Sequence, residues 1–393
     1  MRKRFQEWHM NVRPFAIHVD DARLDDLRGR LRSSRLPGSL DDDSWEDGAS
    51  RAFMRRLVDR WANGFDWRTQ EARLNEMPHF MTEIDGTDVH FVHRRGQGPA
   101  PMPLILTHGW PGSFVEMEQI IPLLADPGAH GGDPADAFHV VVPSLPGFGF
   151  SGAPREPGFG PHHIAGLWRT LMSRLGYARF GAQGGDWGAS VSTWLAHRFP
   201  ADVVGIHLNF IPGSYRPPLG EGQAPLTAEE QDFIDRMRNW QDGEGAYGHV
   251  QGTKPQTLAY ALADSPVGLA AWIAEKFRSW SDCDGDVERA IPLDDLLTNI
   301  SLYWFGGSVE ATLRLYKEGR RRPVSFDPGE RVSPPLGVAL FPKELPMPPR
   351  SWVDRCYTVV RWTPMPKGGH FAAMEQPTLL AEEIRSFFRP LRQ

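Results

Sequence analysis

Cysteine is almost absent from this sequence: Cys283 and Cys356 are the two in a chain of 393 residues. They lie far apart and form no CxxC, which excludes a disulfide scaffold and a cysteine-rich metal site. Both read as buried bystanders, and the pair decides nothing about redox compartment. Long apolar runs are also missing. Nowhere do about 18 apolar residues follow one another, so no transmembrane helix is expected. The N-terminal stretch MRKRFQEWHMNVRPF is basic but lacks the apolar core of a secretory signal. A soluble, cytoplasmic protein without a membrane anchor is the expectation. Excess positive charge is lacking too. A net charge of −6 leaves no phosphate-neutralising surface, so nucleic acid is not an expected partner. With 40 glycines and 35 prolines, the chain falls short of the roughly 25–30% that marks low complexity. Disorder as the overall state is excluded.

Aromatic residues, by contrast, are plentiful. Fourteen Trp and 22 Phe call for a large apolar interior or pocket. At roughly 150 residues per domain, the length allows two domains or one with insertions. Residues 1–80 read as helices without strands. Asp20 stands where it would cap a helix carrying Leu24, Leu27 and Leu31 on one face, with Pro37 beyond its end. Phe53, Leu57 and Trp61 recur at helical spacing. Residues 80–84 and 89–92 then flank Asp85-Gly86, a hairpin signal. Apolar runs of strand length follow at 104–107, 139–142, 179–182, 203–208, 337–341 and 357–362, separated by helical stretches. Short buried runs alternating with helices predict an α/β fold, its parallel sheet covered on both faces. Between about 211 and 331 the rhythm breaks into helical patterns such as 259–280, which reads as a helical insertion.

Gly147, Gly149 and Gly152 spell the GxGxxG of dinucleotide-binding proteins directly after a strand. That motif needs a helix N-terminus immediately behind the glycines. Pro143, Pro146, Pro154, Pro157 and Pro161 bracket them here, so cofactor binding is not expected. No GxxxxGK[ST] and no HExxH occur, and the adjacent His162-His163 points its two side chains apart.

The chemistry gathers elsewhere. Residues 179–188, RFGAQGGDWG, read as a strand, a tight turn and a helix start. Gly184 and Gly188 lie two residues either side of Asp186, the small-x-nucleophile-x-small spacing of a nucleophile elbow. An N-cap aspartate is the plainer reading, and the helix dipole favours an anion there in either case. Company decides between them. Upstream, strand 104–107 runs into His108-Gly109-Trp110-Pro111, a turn able to aim the Trp110 N–H above Asp186, with the Trp187 N–H as second oxyanion donor. Downstream of the last strand, Lys367-Gly368-Gly369-His370-Phe371 offers a histidine third in the order nucleophile, acid, histidine.

With these motifs the sequence resembles the α/β-hydrolases, and among them epoxide hydrolases of the microsomal and fungal soluble type. The resemblance covers nearly the whole chain and rests on the HGxP-type turn at 108–111 and the GGDWG at 184–188. It implies a helical N-terminal extension (1–80) packing on core and lid, a core in two parts (81–210 and 332–393) and a helical lid (211–331). It places the charge-relay acid after a strand ending in Phe-Pro, at Glu344 in Phe341-Pro342-Lys343-Glu344. Asp327, Glu330 and Asp354 fit that place less well. It assigns two lid tyrosines, Tyr247 and Tyr316, to the ring oxygen. The implied partner is a small epoxide, apolar or aromatic in keeping with the composition, with no metal or organic cofactor; a homodimer is compatible with the resemblance.

An aspartate nucleophile suits that chemistry because attack on an alkyl carbon leaves an ester, which water can cleave at its carbonyl. Serine would leave an ether. Haloalkane dehalogenases share the aspartate but usually carry Asn where this chain has Trp110, and they lack the tyrosine pair. A serine esterase lacks support, since no GxSxG occurs and Ser190 falls inside the helix. A non-catalytic binding relative would be expected to have lost one of Asp186, Glu344, His370 or both tyrosines. Detoxification, catabolism and natural-product biosynthesis are all compatible with the sequence.

Overall fold

A computed structural model describes residues 12–392. Residues 1–11 of the basic N-terminal stretch discussed above lie outside the described residues. Nine strands form one sheet: β1 (Arg13–Phe15), β2 (His79–Ile84), β3 (Thr87–Arg94), β4 (Met102–Thr107), β5 (Phe138–Pro143), β6 (Phe180–Gly184), β7 (Val203–Leu208), β8 (Val332–Leu340) and β9 (Tyr357–Pro364). Their spatial order is β1-β2-β3-β5-β4-β6-β7-β8-β9. The first three strands and the β3–β5 junction pair antiparallel, and every pair from β5 to β9 is parallel. The central strands read as continuous apolar runs because both faces are covered: Leu104, Ile105, Leu106, Val140, Val141 and Val142 are all fully buried.

The N-terminal segment is not strand-free. β1 pairs with β2 through Arg13↔Met81, Pro14↔Phe80 and Phe15↔His79. Three residues with a central proline carry no alternation, and only the sheet edge shows them to be a strand. Helices α1 (Asp21–Ser33), α2 (Arg51–Asp59) and α3 (Trp67–Leu74) follow. Asp20 occupies the N-cap of α1 without making a side-chain cap; its carbonyl receives Arg23 N–H and Leu24 N–H instead. A π-turn, Arg60–Gly64, extends α2 and carries Trp61.

On the core, α4 (Pro161–Arg174) and α5 (Asp186–Arg198) precede and follow β6. GxGxxG lies in the turn between β5 and α4, where Gly147 and Gly149 take positive φ, and no helix begins before Pro161. Six helices stand between β7 and β8: α6 (Ala228–Glu244), α7 (Ala246–Thr253), α8 (Pro255–Asp264), α9 (Pro266–Trp280), α10 (Leu293–Gly306) and α11 (Val309–Arg321). The helical pattern at 259–280 is two helices, because Ser265-Pro266 breaks it and turns the axis by 116°. No single helix is long and apolar enough to cross a membrane among the described residues.

The N-terminal helices grip this layer. Arg60 makes a paired contact with Asp294 at 2.9 and 2.7 Å, and Trp61 Nε1–H donates to Ser301 Oγ at 3.0 Å. Both acceptors sit on α10, the helix that in turn pins the loop after β4.

Candidate active site

Backbone sterics place Asp186. Leaving β6, the chain reverses so sharply that Asp186 takes φ 45°, a left-handed conformation that aspartate tolerates better than most residues. The reversal needs bare neighbours. A Cβ on Gly184 would lie 2.3 Å from the Gly188 carbonyl carbon, and one on Gly188 would lie 1.9 Å from Thr107 O. Strand β6, helix α5 and the end of β4 thus meet where no methyl group fits. Gly188→Ala is accordingly expected to destabilise the fold by about 3 kcal/mol or more, visible in a denaturant melt; a change under about 0.5 kcal/mol would show that the elbow tolerates side chains.

Gly109 allows the same closeness from the other side, since its Cβ would lie 2.3 Å from Asp186 Cβ. The result is a hydrogen bond from Trp110 N–H to Asp186 Oδ1 at 2.8 Å. Helix α10 holds this turn in place. Asn299 Nδ2 donates to Pro111 O at 2.8 Å, Tyr303 OH to Gly112 O at 2.7 Å, and Ser113 Oγ to Asn299 Oδ1 at 2.8 Å. Sequence reasoning singled out neither Asn299 nor Tyr303 for this, because both act on backbone almost 200 residues away.

His370 lies between two carboxylates. Its Nδ1 is 2.6 Å from Glu344 Oε1, and its Nε2 is 3.5 Å from Asp186 Oδ2. Glu344 Oε1 also accepts the Leu345 N–H at 2.7 Å. The His370 and Glu344 side chains are 3% and 1% exposed, while Asp186 keeps 16%. Burial alone would lower the imidazole, yet the Glu344 and Asp186 charges and hydrogen bonds overcome it and hold its pKa well above the ordinary value.

The loop carrying His370 is clamped rather than loose. Glu375 accepts Gly369 N–H at 2.9 Å, Phe371 N–H at 2.9 Å and Asp282 N–H at 2.7 Å. Asp282 Oδ2 accepts Gly368 N–H at 2.8 Å, and His370 N–H donates to Trp280 O at 2.9 Å. The histidine is therefore tied to the end of α9. Burial pushes the Glu375 carboxyl up to about 7 despite its three donors. Glu375 went unread in the sequence because its bonds are all to backbone.

Tyr247 (α7) and Tyr316 (α11) reach the same place from the helical layer. Trp110 stacks on Tyr247 at 5.3 Å between ring centroids and meets Tyr316 edge-on at 5.6 Å; Trp187 meets Tyr316 at 4.8 Å. The phenols are 5.7 Å apart, centroid to centroid. Burial first, and then the Asp186 charge for Tyr247 or the Tyr247 and Asp186 charges for Tyr316, hold both hydroxyls above their ordinary pKa. Both stay protonated at neutral pH and can donate. Together with Asp186 they line a cleft of about 930 Å³, whose other walls include Trp187, Phe210, Met237 and Trp240. Among the described residues the Trp187 N–H makes no hydrogen bond to Asp186, unlike that of Trp110.

Comparison with known proteins agrees with this architecture. Residues 12–117 match the family model described as epoxide hydrolase N terminus, and residues 102–242 match that of the alpha/beta hydrolase fold. The chain is 39% identical to Epoxide hydrolase 1 of Sus scrofa over 412 residues, covering 98% of this chain and 90% of that one. It superimposes on the Aspergillus niger epoxide hydrolase with a TM-score of 0.84 at 33% identity, covering 98% and 97% of the two chains. The juvenile hormone epoxide hydrolase of Bombyx mori gives 0.85 at 28%, covering 100% and 97%. The molecule has the α/β-hydrolase fold.

Proposed function

This chain belongs to the epoxide hydrolases, and on that premise we propose that it opens its epoxide through a covalent ester on Asp186, which a His370-activated water then cleaves. One observation carries the reading: the two Asp186 oxygens have different surroundings. Oδ1 is held by the Trp110 N–H, whereas Oδ2 faces His370 at 3.5 Å and, among the described residues, accepts no backbone N–H.

Oδ2 attacks a ring carbon, a C–O bond forms, and the ring C–O bond breaks toward the oxirane oxygen. Tyr247 and Tyr316 donate hydrogen bonds to that oxygen as it becomes an alkoxide, and a phenol proton passes to it. Attack also consumes the Asp186 charge. Both hydroxyls thereby lose one cause of their raised pKa at the moment a proton is needed.

The second step reuses the same logic. Once Asp186 is a neutral ester, one of the two charges holding the proton on His370 is gone. His370 gives that proton to the tyrosinate left by the first step; the freed imidazole then takes a proton from water, Glu344 fixes the ring and balances its charge, and the new oxyanion forms on Oδ1 facing Trp110 N–H. The Trp187 N–H is its second proposed donor. Collapse releases a vicinal diol, whose leaving oxygen takes the water proton back from His370, and the carboxyl left on Asp186 gives its own proton to His370, which restores both groups. The Trp187, Phe210, Met237 and Trp240 walls favour an apolar or aromatic epoxide as the substrate.

Tyr247→Phe and Tyr316→Phe test the first step. A hydrogen bond to a charged oxygen contributes about 1.5–3 kcal/mol, so each change should slow alkylation by roughly 10- to 100-fold in rapid-quench single turnovers. The double change should nearly abolish it. Alkylation at the wild-type rate in both single variants would reduce the tyrosines to packing.

A further inference from the structure

Asp186 stands between two spaces of very different size. On one side is the cleft of about 930 Å³ that holds the tyrosines. On the other is a chamber of about 20 Å³. One water needs roughly 10–15 Å³ on this measure and two or more polar partners. The chamber meets both conditions and admits no organic substrate. Asp186, His370, Gly109, Trp110, Asn209 and Glu116 are among its walls.

Glu116 has no part in the mechanism so far. It comes from the turn Phe114–Met117, just beyond the Trp110 loop. Glycine at 112 makes room for it: a Cβ there would lie 1.5 Å from Glu116 Oε1. The neighbouring cation does not neutralise it, because Arg73 pairs with Glu118 and Asp295 instead. Burial pushes the Glu116 carboxyl up to about 8; His370 pulls it down and Asp186 adds to the rise. Backbone donors at Gly109 and Ser113 and the His370 charge offset only part of the cost of burying this carboxyl, so packing does not account for it.

We infer that Glu116 is a positioning residue for the hydrolytic water, holding it in the chamber between its own carboxyl and His370 Nε2. This rests on the aspartyl-ester reading and adds the direction from which the second nucleophile comes. Substrate approaches Asp186 from the cleft, and water approaches from the opposite side. One water O–H is accepted by Glu116 and the other faces Nε2. The water oxygen bonds to Asp186 Cγ as its proton passes to Nε2. The Cγ–Oδ2 bond then breaks, and the departing diol oxygen takes the proton back from His370. Glu116 ends as it began, with no net proton gained or lost.

The test is single-turnover kinetics of the full chain with styrene oxide, reading alkyl-enzyme by intact mass and diol by chromatography. Glu116→Ala removes the acceptor, and Gly112→Ala displaces the carboxyl while leaving its chemistry intact. In both, hydrolysis of the ester is expected to slow about 10-fold or more while alkylation stays within about 3-fold of wild type, so that alkyl-enzyme accumulates. Glu116→Gln keeps the volume and an acceptor and should fall between, which also serves if the alanine chains do not fold. Hydrolysis at the wild-type rate in the folded variants overturns the inference. So does a fall in alkylation that matches the fall in hydrolysis, which would make Glu116 merely structural. Failure of the ester reading looks different: wild type itself would release diol without ever gaining mass.

Discussion

Asp186→Asn should lower turnover of an accepted epoxide by about 10⁴-fold or more while moving the thermal midpoint by no more than about 3 °C. Activity falls because an amide oxygen is too poor a nucleophile for an alkyl carbon, and the other carboxylate lining the cleft, Asp242, is exposed on α6 rather than held at the elbow. Glu344 is spent on His370, and Glu116 opens onto the small chamber instead. Stability persists because asparagine tolerates the left-handed φ of 45° as readily as aspartate does, and its Oδ1 can still accept the Trp110 N–H. The measurement is steady-state turnover beside a thermal melt, with mass spectrometry to show that the amide has not reverted to the acid. Persistent activity in an authentic asparagine chain would remove Asp186 from the mechanism.

His370→Gln should split the reaction in two. Attack by a carboxylate on a strained ring needs no base, so alkylation survives. Hydrolysis of the ester does need one, and loss of a positioned general base costs about 10²- to 10⁴-fold. A rapid-quench trace should therefore show one equivalent of epoxide consumed per enzyme and almost no diol. Glutamine can still donate to Glu344, which limits the damage of leaving that carboxylate buried without its partner. Equal slowing of epoxide consumption and of diol release would assign His370 to the first step instead.

These residues were legible in the sequence to different depths, for physical reasons. The elbow at 184–188 is a local steric motif, and what forces glycine at 184 and 188 is the contact geometry now seen against Gly188 and Thr107. Asp186 and His370 could be read because each follows a strand end, Glu344 only through the family resemblance, and the structure brings the three side chains together. Strand β1 was illegible because its only identity is its pairing with β2. The break at Ser265-Pro266 lay inside one continuous apolar period, where the proline outweighs the pattern. Asn299, Tyr303 and Glu375 act on backbone groups of other elements, as hydrogen bonds that leave no residue-type signature at the receiving end. Glu116 resembles any polar residue of a surface turn until Gly112 and the chamber are seen around it.

The central claim is a covalent bond to one named carboxylate, and mass mapping of the arrested enzyme tests it most directly. Incubated with styrene oxide and digested, the His370→Gln chain should carry the mass of one epoxide on the peptide containing Asp186, and the label should vanish in the His370→Gln, Asp186→Asn double variant. An unlabelled protein, under conditions where wild type turns the same epoxide over, would contradict the covalent route. A label on any other peptide would contradict the choice of Asp186.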